Sequence, residues 1–467
     1  MLFNSYIFFA FFPCFLALYW LVRPSLTARN LLLIAGSYLF YCWWDWRFGV
    51  LLLFTSLADY FFAGWVEKSA TPFRRKALVA ASVSLNLGVL GFFKYFGFFC
   101  GSLQALLNDL FQVQTNWHLL KIVLPVGISF YTFQSISYVI DVYRGKLPAA
   151  RNLVQYLAFV SFFPQLVAGP IERATRMLPQ YARTLTLTAA NLEHGIWLII
   201  WGLFQKVVLA DNLAPLVELA YDHATPSLPV LFLGTTAFAF QIYCDFAGYS
   251  DIARGLAKLL GFELMINFNV PYVARTLRDF WQRWHISLST WIRDYLYVPL
   301  GGNRLGESHT RANLLLAMLL AGLWHGAAAN YVLWGIWHGA GLVVNRTWER
   351  LRPEKFALPA VVAWGVTMLF VGIGWMFFRA SSMEQIVTFA RAAGDFTLPM
   401  WWLTYVRSLL ILMAPIMAVQ LWQARRNEAE SFRLWPRPAR IVAQGILLLA
   451  INVWFGRTAS PFIYFQF

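Results

Sequence analysis

Apolar runs long enough to cross a bilayer recur along the whole chain, near 2–22, 30–46, 49–66, 78–100, 122–140, 152–168, 190–209, 229–248, 311–327, 328–345, 359–379, 403–423 and 440–457. A run of about 17–22 such residues spans the hydrocarbon as a helix. Inside lipid every backbone N–H and C=O must be satisfied within the segment or in a closed barrel. The expected class is therefore all-α: a polytopic membrane protein of roughly 11–13 membrane helices or re-entrant segments. Composition supports this reading. Of 467 residues 59% are hydrophobic and 13% charged, where soluble domains carry about a quarter charged residues. One continuous transmembrane domain over 1–467 is expected, with the lipid bilayer as its solvent.

Lys and Arg number 37 against 22 Asp and Glu, a formal charge of +15. The basic residues collect in the gaps between apolar runs, the pattern of the positive-inside rule, so no nucleic-acid partner is expected. The gaps holding Arg74, Arg75 and Lys76, then Arg144, Lys146 and Arg151, then Arg346, Arg350 and Arg352, then Arg425, Arg426, Arg433 and Arg437 read as cytoplasmic. Segment 101–120 reads as outward-facing, and both termini as extracytoplasmic. The run 152–168 is basic on both flanks and reads as a dip from the cytoplasm. The run 122–140 carries Pro125, Gly127 and several hydroxyls, which suits a broken segment lining a cavity. The first run lacks a basic n-region and reads as a retained helix, not a cleaved signal peptide. Cys14, Cys42, Cys100 and Cys244 form no CxxC and suggest neither zinc nor a disulfide framework.

Segment 272–304 breaks the pattern. It is too charged to span and too apolar for a solvated loop, with Arg275, Arg278, Arg283, Arg293 and Arg304 among aromatic residues. It reads as an amphipathic element on the cytoplasmic face. Its arginines are either interfacial anchors or the mouth of a funnel for a phosphate-bearing donor, which guanidinium forks suit. His325 and His338 each sit in a WHG step within an apolar run. An imidazole at membrane depth is a functional candidate by default. His325 is assigned function and His338 structural hydrogen bonding. Gly322, Gly326 and Gly339 are expected to let helices or a ligand approach closely. No third ligand has helpful spacing, so no metal site is expected. Asp245 and Asp251 are expected to pair with Arg254 or with the 275–304 arginines, a role in the cavity being the other reading.

The strings LPVGISFYTFQSISYVIDVYRG (124–145), FVSFFPQLVAGPIERA (159–174), QIYCDFAGYSDIARGLAKLLGF (241–262), FWQRWHISLSTWIRDYLYVPLGGNR (280–304) and LLAGLWHGAAANYVLWGIWHG (319–339) resemble the alginate O-acetyltransferase branch of the membrane-bound O-acyltransferase (MBOAT) family. Relatives in that branch act on peptidoglycan, bacterial cellulose and teichoic acid. The resemblance implies a ring of tilted helices around a thin core, with a through-tunnel joining a cytoplasmic donor funnel to an extracytoplasmic acceptor funnel. It implies His325 as the catalytic histidine and His285 as its second position. It also implies acetyl-CoA as donor, an extracytoplasmic SGNH-type acetyltransferase partner within a polysaccharide biosynthesis or secretion complex, and the bacterial inner membrane as location. The aromatic segment 460–467 matches a motif in which Tyr464 is the hydroxyl proposed to relay the acyl group; an interfacial anchor is the other reading.

Acyl transfer from a thioester needs a base for the attacking hydroxyl, and histidine suits that at neutral pH. His325 is the expected base and His285 the group that orients substrate or stabilises the oxyanion. The expected activity is O-acetylation of an alginate- or cellulose-type exopolysaccharide, with peptidoglycan or teichoic acid O-acylation as the alternative. A transporter of an acylated precursor, or a non-catalytic scaffold, is the reading from another class. The transporter would need charge along a full pathway, whereas the charges here crowd one side. The chain has no Gly-x-Ser-x-Gly elbow, so the last transfer to polymer is expected from another chain.

Overall fold

The computed structural model describes residues 1–111, 122–167, 169–223, 226–351, 358–456 and 462–463. The described residues are helices joined by turns, with no strand among them. Six helices combine the length and apolarity of a membrane span: 46–68, 72–108, 189–221, 228–259, 360–379 and 402–426. The other predicted runs also fall largely in helices, but ones that are shorter or less apolar. The chain divides into two compact units, Met1–Leu192 with Leu256–Leu264, and Glu193–Gly255 with Met265–Phe467.

The first unit opens with α1 (Tyr6–Val22), α2 (Leu26–Cys42), α3 (Trp46–Lys68) and α4 (Pro72–Phe111). Ser5, Ser25 and Asp45 cap the first three, each side-chain oxygen accepting a backbone N–H of the first turn, which supplies partners that helix starts lack. The segment expected to face outward from residue 101 begins as a continuation of α4. The run 122–140 is broken as expected: α5 (Ile128–Tyr143) starts only after Gly127, which adopts a left-handed φ of 75°. The run 152–168 holds α6 (Leu153–Ser161) and α7 (Phe163–Leu166), broken at Phe162, and α8 (Ala174–Tyr181) follows. Phe163 sits among Phe8, Phe12, Phe15 and Phe40. Arg29 is fully buried, and its guanidinium donates to the carbonyls of Gln180, Tyr181 and Arg183 at the end of α8.

The second unit begins in α9 (Ala189–Leu203), which passes through a π-helical turn (Phe204–Ala210) into α10 (Asp211–Tyr221). Next is α11 (Leu228–Leu259). A Cβ on Gly202 would lie 2.4 Å from the carbonyl oxygen of Gly248, so α9 and α11 cross with backbones in contact, the use membrane bundles make of small residues. Segment 272–304 contains two short helices, α12 (Leu277–Arg283) and α13 (Ile286–Ile292). A helical hairpin follows, α14 (Glu307–His325) and α15 (Ala329–Leu351), then α16 (Ala360–Arg379), α17 (Met383–Arg391), α18 (Trp402–Arg426) and α19 (Arg437–Trp454).

Candidate active site

The hairpin places His325. It is the last residue of α14, and Gly326 ends the helix in extended conformation. The two arms are in backbone contact: a Cβ on Gly322 would fall 2.2 Å from the Tyr331 carbonyl oxygen, and one on Gly335 would fall 2.6 Å from that of Met318. At the hairpin's open end, Arg346 and Arg350 of α15 pair with Glu307 in the first turn of α14, at 2.9 and 2.6 Å. His325 is 5% exposed, with Trp324, Trp334 and Phe378 edge-on to its ring at centroid distances of 4.9–5.1 Å.

A cavity of about 820 Å³ reaches this imidazole. Its inner wall includes the buried His325, Trp334 and Met318, and its outer rim carries the exposed Arg278 and Arg293 and the half-buried Arg346. That is the size of a ligand pocket, with cations at the rim and an imidazole at depth. The five arginines of segment 272–304 do not act as one group. Arg275 and Arg283 line a separate polar pocket of about 300 Å³, where Arg283 holds Asp279 at 2.6 Å. Arg304 is exposed and lines neither. Arg346 takes their place at the rim, supplied by α15 far along the chain.

His285 lies at the break between α12 and α13, in left-handed conformation with φ 43°. Residues 267–269 hold the break open. Ile286 N–H donates to the Asn267 carbonyl and Asn269 N–H to that of Arg283, both at 2.9 Å. The Asn267 side chain then organises the imidazole. Its Oδ1 accepts the Ser287 backbone N–H at 3.2 Å and the Ser287 hydroxyl at 2.9 Å, and lies 3.1 Å from His285 Nδ1. A backbone N–H can only donate, so that amide atom is oxygen and Nδ1 is the protonated nitrogen, which leaves the lone pair on Nε2. Burial pushes the His285 pKa down to about 3, so the ring is neutral.

The two histidines, 40 positions apart in the chain, meet the same indole: the Trp324 ring is 6.0 Å from that of His285 and 4.9 Å from that of His325. Phe246 of α11 stands edge-on to His285 at 4.7 Å. His338 is fully buried, yet neither ring nitrogen has a hydrogen-bond partner among the described residues. The hydrogen-bonded role expected for it is replaced by an aromatic cage of Trp281, Trp334 and Phe370. Asp251 pairs with Arg254 at 3.0 Å as expected. Asp245 pairs instead with Lys206 of the π-turn, at 2.7 Å, and Lys206 also holds Asp211 at 2.8 Å. Tyr464 lies outside the described residues. Its neighbours Phe462 and Ile463 are buried against α11, and the Ile463 N–H donates to Asp245 at 2.6 Å.

Sequence reading found both histidines because each sits in a distinctive aromatic string. It missed Asn267, whose one signal is a polar residue inside the apolar stretch LMINFNV, and Lys206, the one basic residue within the run 190–209 besides His194. Among the described residues no group of three His, Cys, Asp or Glu converges as metal ligands would.

Residues 147–387 match the family model described as MBOAT, membrane-bound O-acyltransferase family. A probable alginate O-acetylase from Pseudomonas putida is 38% identical over the full length of both chains. One from Pseudomonas aeruginosa is 42% identical over 82% of this chain and 73% of its own. A peptidoglycan O-acetyltransferase from Helicobacter pylori is 35% identical over 82% of this chain and 78% of its own.

Proposed function

The chain belongs to the membrane-bound O-acyltransferase family and is a multi-pass O-acyltransferase; from that premise we propose that it moves acetyl groups from cytoplasmic acetyl-CoA towards an extracytoplasmic polysaccharide. The observation that carries this reading is the cavity that runs from arginines at its rim to a buried imidazole at its inner end. The rim guanidiniums suit the phosphates of the donor, and the apolar depth suits its pantetheine arm and thioester. His325 takes the proton of an attacking hydroxyl as its oxygen bonds to the thioester carbonyl carbon. The tetrahedral intermediate collapses by breaking the C–S bond. The proton then passes from the imidazolium to the departing thiolate, and the free thiol leaves through the cavity. With its proton on Nδ1, His285 offers an acceptor and not a donor. It therefore serves better to orient the attacking hydroxyl than to stabilise an oxyanion.

The chain sits in the bacterial inner membrane, with the basic gaps in the cytoplasm and both termini outside. Segment 272–304 forms the cytoplasmic rim and segment 460–467 the outer tail. The similar alginate O-acetylases favour an alginate-type polymer; the similar peptidoglycan enzyme supports the second reading. Tyr464 is the candidate relay hydroxyl, and an SGNH-type partner outside the membrane completes transfer to the polymer.

The test is release of thiol from radiolabelled acetyl-CoA by the purified protein. His325→Ala is expected to lower kcat by about 10²–10⁴-fold, and Tyr464→Phe to abolish label retained on the protein. Equal rates for wild type and His325→Ala would overturn the reading. Arg278→Ala and Arg346→Ala are expected to raise KM for acetyl-CoA with little change in kcat, since they bind donor away from the reacting atoms.

A further inference from the structure

The Lys206–Asp211–Asp245 cluster is not used by the chemistry above. Lys206 is 1% exposed and Asp211 and Asp245 3% each. One ammonium faces two carboxylates here, and a buried charge is costly unless it is paired and hydrogen-bonded. The arrangement meets that cost in a specific way. Oδ1 of Asp245 faces Lys206, and Oδ2 accepts the backbone N–H of Ile463 at 2.6 Å, 218 positions along the chain. A charge-assisted bond of that kind is short and strong. Phe462 is fully buried, its ring 4.3 Å from that of Tyr249 and 5.9 Å from that of Phe246. Phe246 also contacts the His285 ring, 4.7 Å away and edge-on. An aromatic anchor at a membrane interface would leave these side chains partly exposed; here Phe462 and Ile463 are 0% and 4% exposed.

We propose that the triad is a seat for the 462–463 segment and that it presses this segment against the Phe246 wall of the His285 site. Asp245 is then a positioning residue for acyl transfer, acting through the tail and Phe246. This rests on the acyltransferase reading for its catalytic half; the seat itself stands on the geometry alone.

The seat is tested by cysteine accessibility. Ile463→Cys keeps the backbone donor and places a thiol on the seated residue, with the unmodified parent as blank. A membrane-permeant maleimide is expected to label it slowly when Asp245 is present. Asp245→Leu leaves Lys206 and Asp211 as a neutral pair but removes the acceptor, and should speed labelling about tenfold or more. Asp245→Asn keeps a neutral acceptor and should fall between. Phe462→Ala leaves the triad intact and should also speed labelling, so the seat is tested even if a triad variant folds poorly. Rapid labelling with Asp245 present, or unchanged protection in both Asp245→Leu and Phe462→Ala, would sink the seat.

The catalytic half is read from acyl transfer by Asp245→Leu and Phe462→Ala without the added cysteine. Both should lower kcat with KM for acetyl-CoA within twofold of wild type, because the donor cavity is untouched, and Asp245→Asn should recover part of the loss. An unchanged kcat in variants that release the segment would overturn the positioning role. Full activity in His325→Ala would instead overturn the acyltransferase mechanism and leave the labelling result standing.

Discussion

Asn267 decides more about the candidate site than its modest side chain suggests. One amide oxygen receives a backbone N–H and a hydroxyl from Ser287 and sits against His285 Nδ1. Asn267→Leu is expected to leave those donors unmet and to lower stability by about 1–3 kcal/mol. It also frees the imidazole to take the other tautomer, so kcat should fall further than the thermal midpoint explains. His285 carries its own pH signature. Its folded pKa is about 3 and its ordinary value 6.5. The unfolded chain thus gains a proton that the folded ring refuses, and stability present above pH 6.5 is lost as the pH falls towards 3. His285→Gln should show a shallower decline of thermal midpoint between pH 7 and 5 in detergent (about 6.5 being the unfolded pKa); a decline as steep as wild type would argue that the ring is already charged. The aromatic strings made both histidines visible in the chain. Asn267 stayed hidden because its meaning lies in a pairing across the break at His285, 18 positions away.

The hairpin of α14 and α15 is the element on which the cavity depends. Its arms touch through glycine, so a branched side chain has nowhere to go. Gly335→Val is expected to cost about 1–3 kcal/mol by overpacking and to lower the thermal midpoint, while Gly365→Val, where a Cβ would meet nothing within 4 Å, should be nearly silent. Equal effects at the two positions would show that the contact through Gly335 is dispensable. The long helices were legible because twenty apolar residues have few other fates. The glycine seam was partly legible from the spacing of Gly322, Gly326 and Gly339. The π-turn at Phe204–Ala210 was not, since a single extra residue in a helix leaves no periodic trace. The division of the arginines was also out of reach. Arg278 reaches the cavity and Arg275 does not, a difference of three positions on an element too short to show a periodicity.

At the scale of the molecule the class was plain from the sequence and the interior wiring was not. Asp245 was expected to find an arginine, because arginines crowd the neighbouring segment; it found Lys206, one helix earlier and 39 positions back. Charge pairing inside a bundle follows depth and facing, which a linear sequence does not encode. Lys206→Met removes the cation that faces two buried carboxylates and is expected to cost about 3–5 kcal/mol, and Lys206→Met with Asp245→Asn should recover part of it, as thermal midpoints would reveal. No recovery would mean that Asp245 carries no charge in the folded protein. The bond between Asp245 and Ile463 also has a temporal side. A ribosome delivers residues in order, so α11 is threaded into lipid while its hydrogen-bond donor awaits synthesis of more than two hundred further residues. Until then the carboxylate must hold water, a proton or a chaperone's company, and this part of the enzyme's interior closes only once residue 463 has been made.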